Sequence, residues 1–84
     1  MDEKTNKSLG LLLISLGKGD ISAIKDIYEI MRRILYAIGG IYYSQRADIE
    51  DSIQNLLLIL YTKSKKFKEN KNACAWIIKV YENS

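Results

Sequence analysis

The chain has 84 residues, and a chain of this length builds only one hydrophobic core, so we expect a single domain over residues 1–84. Its hydrophobic content of 48% and its lack of Pro favour a helical globule over a disordered chain, while one Cys and no His exclude an intramolecular disulfide and a zinc site. The net charge of +3 is unevenly distributed, because residues 1–62 carry seven basic and eight acidic side chains and residues 63–84 carry six basic and two acidic ones.

The first predicted helix is short. Residues 1–7 are polar and are predicted to be disordered. Asn6 or Ser8 can cap a helix that ends at Gly17, because a side-chain oxygen at the cap accepts a hydrogen bond from the first turn. The apolar run is far shorter than the roughly 20 residues that span a bilayer, and it lacks a signal-peptide cleavage pattern, so we expect a cytoplasmic protein. One face of this helix carries Leu9, Leu12, Leu13 and Leu16.

The second predicted helix is the longest periodic segment of the chain. Asp20 is a favoured N-cap for it. Gly39 and Gly40 would ordinarily end a helix, since each costs about 1 kcal/mol relative to Ala in a helix interior. The apolar stripe continues past them, and we predict an unbroken helix to about Tyr43. Apolar residues recur at steps of three and four at Ile24, Ile27, Tyr28, Met31, Ile34, Leu35 and Ile38.

The third predicted helix carries two different faces. Asp48 is its predicted N-cap, with Asp51 in the reciprocal position of a capping box, and its end is predicted near Ser64. At about 100° per residue, one face is apolar and reads as core, while the other is polar except for Leu58. An apolar residue within a polar face suits a contact with another macromolecule, although a single exposed Leu is also common. The core face carries Ile49, Ile53, Leu56, Leu57 and Leu60, and the outer face carries Asp51, Gln54, Asn55, Leu58 and Thr62.

A lysine-rich loop and a fourth helix complete the chain. Asn72 is the predicted N-cap of that helix, whose Trp76, Ile77 and Val80 are predicted to face the core. The predicted fold class is therefore all-α, a small bundle of about four helices in which the second and third form an antiparallel pair. Taken alone, a lysine loop is typical of a solvated surface, but it also favours phosphates through counterion release. Its lysines are Lys63, Lys65, Lys66, Lys68 and Lys71, placed around Phe67.

From Gly19 onwards the sequence resembles region 2 of bacterial sigma factors, most closely the extracytoplasmic-function type. The resemblance lies in the order and spacing of several short motifs, none of which is specific alone. It implies a sigma-like helical domain that acts in transcription initiation, with no enzymatic activity, cofactor or metal. The matching steps are Gly19-Asp20, Ile27-Tyr28-Glu29, Leu35-Tyr36, Ala47-Asp48-Ile49-Glu50-Asp51, Gln54, Phe67, Ala75-Trp76-Ile77 and Asn83.

The resemblance implies two partners, core RNA polymerase and promoter DNA, and it also admits an anti-sigma protein. The outer face of the third helix would bind the clamp helices of the polymerase, through Asp51, Gln54, Asn55 and Leu58. The loop and the last helix would recognise and melt the −10 element as a single strand. On that basis Phe67 and Asn83 help form the pocket for an extruded base, and phosphates are met by Lys65, Lys66, Lys68, Lys71 and Lys79.

Two departures from the family pattern keep other functions open. Gln54-Asn55 stands where the family has Gln-Glu, and Tyr81-Glu82-Asn83 stands where it has Ala-Arg-Asn. Because an acidic side chain repels phosphate, Glu82 argues against DNA binding. We therefore expect either part of a longer factor or a stand-alone, sigma-like regulator of the mobile-element type without promoter activity. A nucleic-acid binder that uses only the lysine loop is a third alternative.

Overall fold

Four α-helices and one short 3₁₀ turn make up the fold in the computed structural model, which describes residues 1–84. The predicted all-α class and the predicted number of helices are confirmed, and the chain contains no strand. None of the helices combines the length and the apolar character that crossing a bilayer requires. The helices are α1 (Glu3–Gly17), α2 (Ala23–Tyr42), α3 (Arg46–Lys63) and α4 (Ala73–Glu82), and the 3₁₀ turn is Ser64–Lys66.

Helix α1 begins earlier than predicted. Its N-cap is Asp2, whose carboxylate accepts a hydrogen bond of 2.7 Å from the Thr5 N–H, so the predicted start at Asn6 or Ser8 is wrong. That backbone hydrogen bond lowers the pKa of the Asp2 carboxyl group. The Asn6 side chain instead accepts a hydrogen bond of 2.8 Å from the Cys74 N–H in the first turn of α4. Asn6 therefore ties the first helix to the last one.

The starts of α2 and α3 also differ from the prediction. Asp20 lies before α2, in a turn where its carboxylate accepts from the Ser22 N–H at 3.1 Å, and Ser22 is the N-cap. Helix α3 follows Gln45, and no side chain caps it. Asp48 therefore lies within the first turn of α3, where it complements the positive end of the helix dipole. The predicted capping box of Asp48 and Asp51 is wrong.

One apolar core unites all four helices. Ile53 of α3 and Met31 of α2 are buried as predicted, and the apolar face of α1 packs against them. The predicted core residues that are only half-buried, such as Ile49 and Trp76, surround this centre. The buried set is Leu9, Leu13, Leu16, Ala23, Ile27, Met31, Leu35, Ile53, Leu56, Leu60, Phe67, Ala73, Ile77 and Tyr81.

Helix α2 passes through both glycines and ends at Tyr42, so the predicted continuation is confirmed. The two glycines have different surroundings. A Cβ at Gly39 would lie 2.7 Å from Ile49 Cγ2 and 2.9 Å from the Tyr81 hydroxyl, whereas a Cβ at Gly40 would contact nothing within 4 Å. Gly39 is therefore the residue that lets α2 approach α3 and α4 closely.

Gly39→Ala is expected to destabilise the fold and Gly40→Ala to stabilise it. At Gly40 the methyl group improves helix propensity by about 0.5 to 1 kcal/mol without a clash. At Gly39 overpacking costs about 1 to 3 kcal/mol, which exceeds the same gain in propensity. Urea unfolding of the two variants measures the difference. Equal stabilities would contradict the close approach of Ile49 and Tyr81 to Gly39.

Candidate functional site

The outer face of α3 is fully exposed. Asp51, Gln54, Asn55 and Leu58 all lie on it, and 70% of the Leu58 surface remains accessible. Tyr61 lies one turn further along and is 42% exposed, so it extends the apolar part of this face. No other helix of the domain covers this surface. We call Asp51, Gln54, Asn55, Leu58 and Tyr61 the outer surface of α3.

A second surface lies where the end of α3 and the 3₁₀ turn meet α4. The side chains there enclose an open groove of about 260 Å³. Three lysines contribute to it, and Trp76 and Asn83 come from the side of α4. The ring of Trp76 packs edge-to-face on Phe67, with ring centroids 5.4 Å apart and an angle of 67°. This lysine groove is lined by Lys63, Lys66, Trp76, Lys79, Val80 and Asn83.

Phe67 is a core residue and does not line the lysine groove. Only 7% of its surface is exposed, and its ring lies over Gly10, where an added Cβ would be 3.5 Å from Phe67 Cε2. The prediction that Phe67 offers a face to an extruded base is therefore corrected, because the residue is buried in the core. Trp76 is half-buried and borders the groove. Of these two aromatic residues, only Trp76 lines the groove.

The other predicted lysines point to different sides of the molecule. Lys65 borders a depression that it shares with Gly17 and Lys18 at the end of α1. Lys71 borders another, beside Glu3 and Glu69. Lys68 is exposed in the loop and lines neither of these depressions nor the groove. The structure thus brings together Lys66, Lys79 and Asn83 from the predicted set, adds Lys63 and Trp76, and separates the rest.

Glu82 lies away from the lysine groove. It borders a cavity of about 190 Å³ that is also lined by Tyr42, Tyr43 and Tyr81. The Tyr81 hydroxyl is buried in the wall of this cavity and lies 2.6 Å from Ser52 Oγ, within hydrogen-bond distance. Tyr81 therefore anchors α4 on α3 at this point, and the Glu82 carboxylate does not line the groove that would receive phosphates.

Several of these features were visible in the sequence, and others were not. The periodicity of α3 indicates that Leu58 faces outward, and the spacing of Lys79 and Asn83 by four residues places both on one side of α4. Lys63 is the last residue of α3, and Lys66 of the following 3₁₀ turn lines the same groove. No local sequence pattern predicted that turn. The sequence alone therefore could not show that Lys63 and Lys66 line the groove while Lys65 and Lys68 do not.

Fold and site together define a small all-α domain with two candidate binding surfaces and one shared core. No family model matches the sequence, and no solved structure matches it. The sequence is similar to Protein POLLENLESS 3 of Arabidopsis thaliana, with 32% identity over 77 residues, which cover 82% of this chain and 18% of the plant protein. The chain therefore spans less than a fifth of the length of that relative.

Proposed function

We propose that this chain is a sigma-like transcription initiation module that binds core RNA polymerase through the outer surface of α3 and single-stranded promoter DNA through the lysine groove. The observation that carries the proposal is the lysine groove itself. It brings Lys63, Lys66 and Lys79 together in one groove with the half-buried Trp76 and with Asn83. A role at the polymerase would place the protein in the cytoplasm.

The groove combines the chemistry that single-stranded nucleic acid requires. Ammonium groups along a groove neutralise backbone phosphates and release counterions. An aromatic side chain contributes about 1 to 3 kcal/mol by stacking on a base, and an Asn side chain can both donate to and accept from a base edge. The lining of the groove contains no acidic side chain, since Glu82 borders a different cavity, and this supports the proposal.

A second candidate is a stand-alone, sigma-like regulator that binds a partner through the outer surface of α3 and has no promoter activity. The burial of Phe67 favours this candidate, since the residue at the family's aromatic position offers no stacking face. An absence of binding to core polymerase in the unmodified chain would support the regulator over the initiation module.

Titration with labelled single-stranded DNA at low salt, with and without core polymerase, tests the groove. Lys66→Gln with Lys79→Gln is expected to weaken binding to every sequence. The dependence of log K on log salt should fall by about 0.7 for each phosphate that is no longer neutralised. The matched control is Lys68→Gln with Lys71→Gln, which removes the same charge outside the groove. Equal weakening in the two double variants would show only a generic cationic surface.

A further inference from the structure

All three arginines of the chain meet in one place. Arg32 and Arg33 come from the middle of α2, and Arg46 is the first residue of α3. Every other basic side chain in the sequence is a lysine. The three arginines line one open depression of about 740 Å³ together with Glu29, Ile30 and Tyr36. We call this the arginine depression, and it shares no residue with the lysine groove or with the outer surface of α3.

Two tyrosines hold the guanidinium groups in place. The Arg46 guanidinium lies 5.2 Å from the centre of the Tyr36 ring, and that of Arg32 lies 5.9 Å from the centre of the Tyr28 ring. Both distances are within the range of cation–π attraction. The hydrogen bond with the Tyr28 hydroxyl, desolvation and the Glu50 carboxylate together raise the pKa of Tyr36.

The guanidinium groups are largely free of carboxylate partners. Arg46 makes the single ion pair of the chain, with Glu50 at 3.9 Å, and both side chains are well exposed, so the pair is weak. Arg32 and Arg33 are exposed and have no carboxylate oxygen within 4.0 Å. The depression therefore offers the unpaired guanidinium groups of Arg32 and Arg33, beside one acidic lining residue, Glu29. The fork of N–H donors of a guanidinium matches phosphate oxygens better than a lysine ammonium does.

We infer that the arginine depression binds the phosphodiester backbone of a nucleic acid, as a second contact distinct from the lysine groove. The depression is open and its donors are exposed, which suits a continuous backbone rather than an enclosed small ligand. The Arg46 and Arg32 guanidinium groups each lie over one face of a tyrosine ring, and guanidinium–phosphate contacts carry no sequence information, so the contact is expected to be independent of sequence.

The depression lies at the opposite end of α3 from the lysine groove. Helix α3 has 18 residues, so its ends are separated by roughly 25 Å at 1.5 Å per residue. The two sites can therefore be removed independently. The arginine site is best measured in a Lys63→Gln, Lys66→Gln, Lys79→Gln background, in which the lysine groove has lost all three of its ammonium groups.

The test is a salt titration of a short labelled DNA duplex against the full chain in that background. Arg32→Gln with Arg33→Gln is expected to weaken binding by about tenfold or more and to reduce the salt slope by about 0.9 for each phosphate that is no longer neutralised. Arg32→Lys with Arg33→Lys keeps the charge, and it should retain the slope while binding more weakly, because a lysine cannot form the bidentate contact. The matched control for net charge is Lys4→Gln with Lys25→Gln, which should change little.

Three outcomes would overturn the inference. Equal weakening of duplex binding in the arginine variant and in the lysine control would show that net charge alone causes the effect. Arginine-dependent binding of inorganic pyrophosphate as tight as that of the duplex would assign the depression to a free phosphate ligand. Arginine-dependent binding of polyglutamate in preference to the duplex would assign it to an acidic polypeptide. Because the lysine groove is already inactivated, none of these outcomes depends on the proposed promoter contact.

Discussion

Leu58→Lys is expected to abolish binding of the chain to core RNA polymerase while leaving its helical content unchanged. Leu58 is the most exposed apolar residue of α3, and it lies at the centre of the outer surface with Asp51 and Gln54 at its rim. Interfaces concentrate their binding energy in a few central side chains. The variant removes the apolar anchor and forces a charge to lose water when the surface is covered. A pull-down on core polymerase or its isolated clamp helices measures binding, and circular dichroism measures the helices.

The matched control for this variant is Leu11→Lys. Leu11 is exposed at 52% on α1, so the same substitution is made at a comparable accessible Leu away from the outer surface of α3. Binding should survive in the control. Unaltered affinity in Leu58→Lys would remove the polymerase hypothesis from this face. An absence of binding in the unmodified chain would instead favour the stand-alone regulator.

Ile53→Ala is expected to lower the free energy of unfolding by about 2 to 5 kcal/mol, because it leaves a cavity in the only core that the chain has. Ile53 is 2% exposed and lies on the opposite side of α3 from Leu58. Domains of this size are stable by about 5 to 15 kcal/mol, so the variant would lose a large part of the total. Each 1 kcal/mol corresponds to roughly 4 to 8 °C in Tm at this chain length, and a thermal melt records it.

The control for Ile53→Ala is a substitution on the exposed face of the same helix. Leu58→Ala removes a similar volume from the exposed side of the same helix and is expected to be nearly silent for folding. Both variants carry the same Ala in the same helix, so their helix propensities nearly cancel in the comparison. If the melts ranked the two variants in the reverse order, the assignment of the two faces of α3 would be wrong.

The existence of each helix was predicted more accurately from the sequence than the residue at which it begins. Periodicity was sufficient to predict α2 and α3, because their apolar residues recur on one face over many helical turns. Helix starts depend on single side chains that have several partners within reach, and here tertiary context decided among them. Asn6 caps the first turn of α4 rather than α1. Asp20 accepts a hydrogen bond from the Ser22 N–H in the turn that precedes α2. Of the predicted N-caps, only Asn72 caps the helix that follows it.

The candidate site was partly predictable for the same reason. Residues within one helix keep a fixed angular relation, and the outward position of Leu58 followed from that relation. Residues brought together from different elements have no such relation in the sequence. The arginine depression joins the middle of α2 to the first turn of α3, and the lysine groove depends on a three-residue 3₁₀ turn. The resemblance placed Phe67 in a pocket for an extruded base, yet the gap left by Gly10 on α1 accommodates its ring.

The contact between the first and last helices sets a condition on how the protein folds during synthesis. Asn6 and Cys74 are 68 positions apart, and α4 supplies Ala73, Ile77 and Tyr81 to the core. At about 5 to 20 residues per second, a ribosome needs on the order of 3 to 14 s to make that length. Throughout that time the leucines of α1 lack some of their packing partners. Apolar surface exposed in this way can bind chaperones or aggregate. The domain therefore reaches its final packing only after nearly the whole segment has left the ribosomal tunnel.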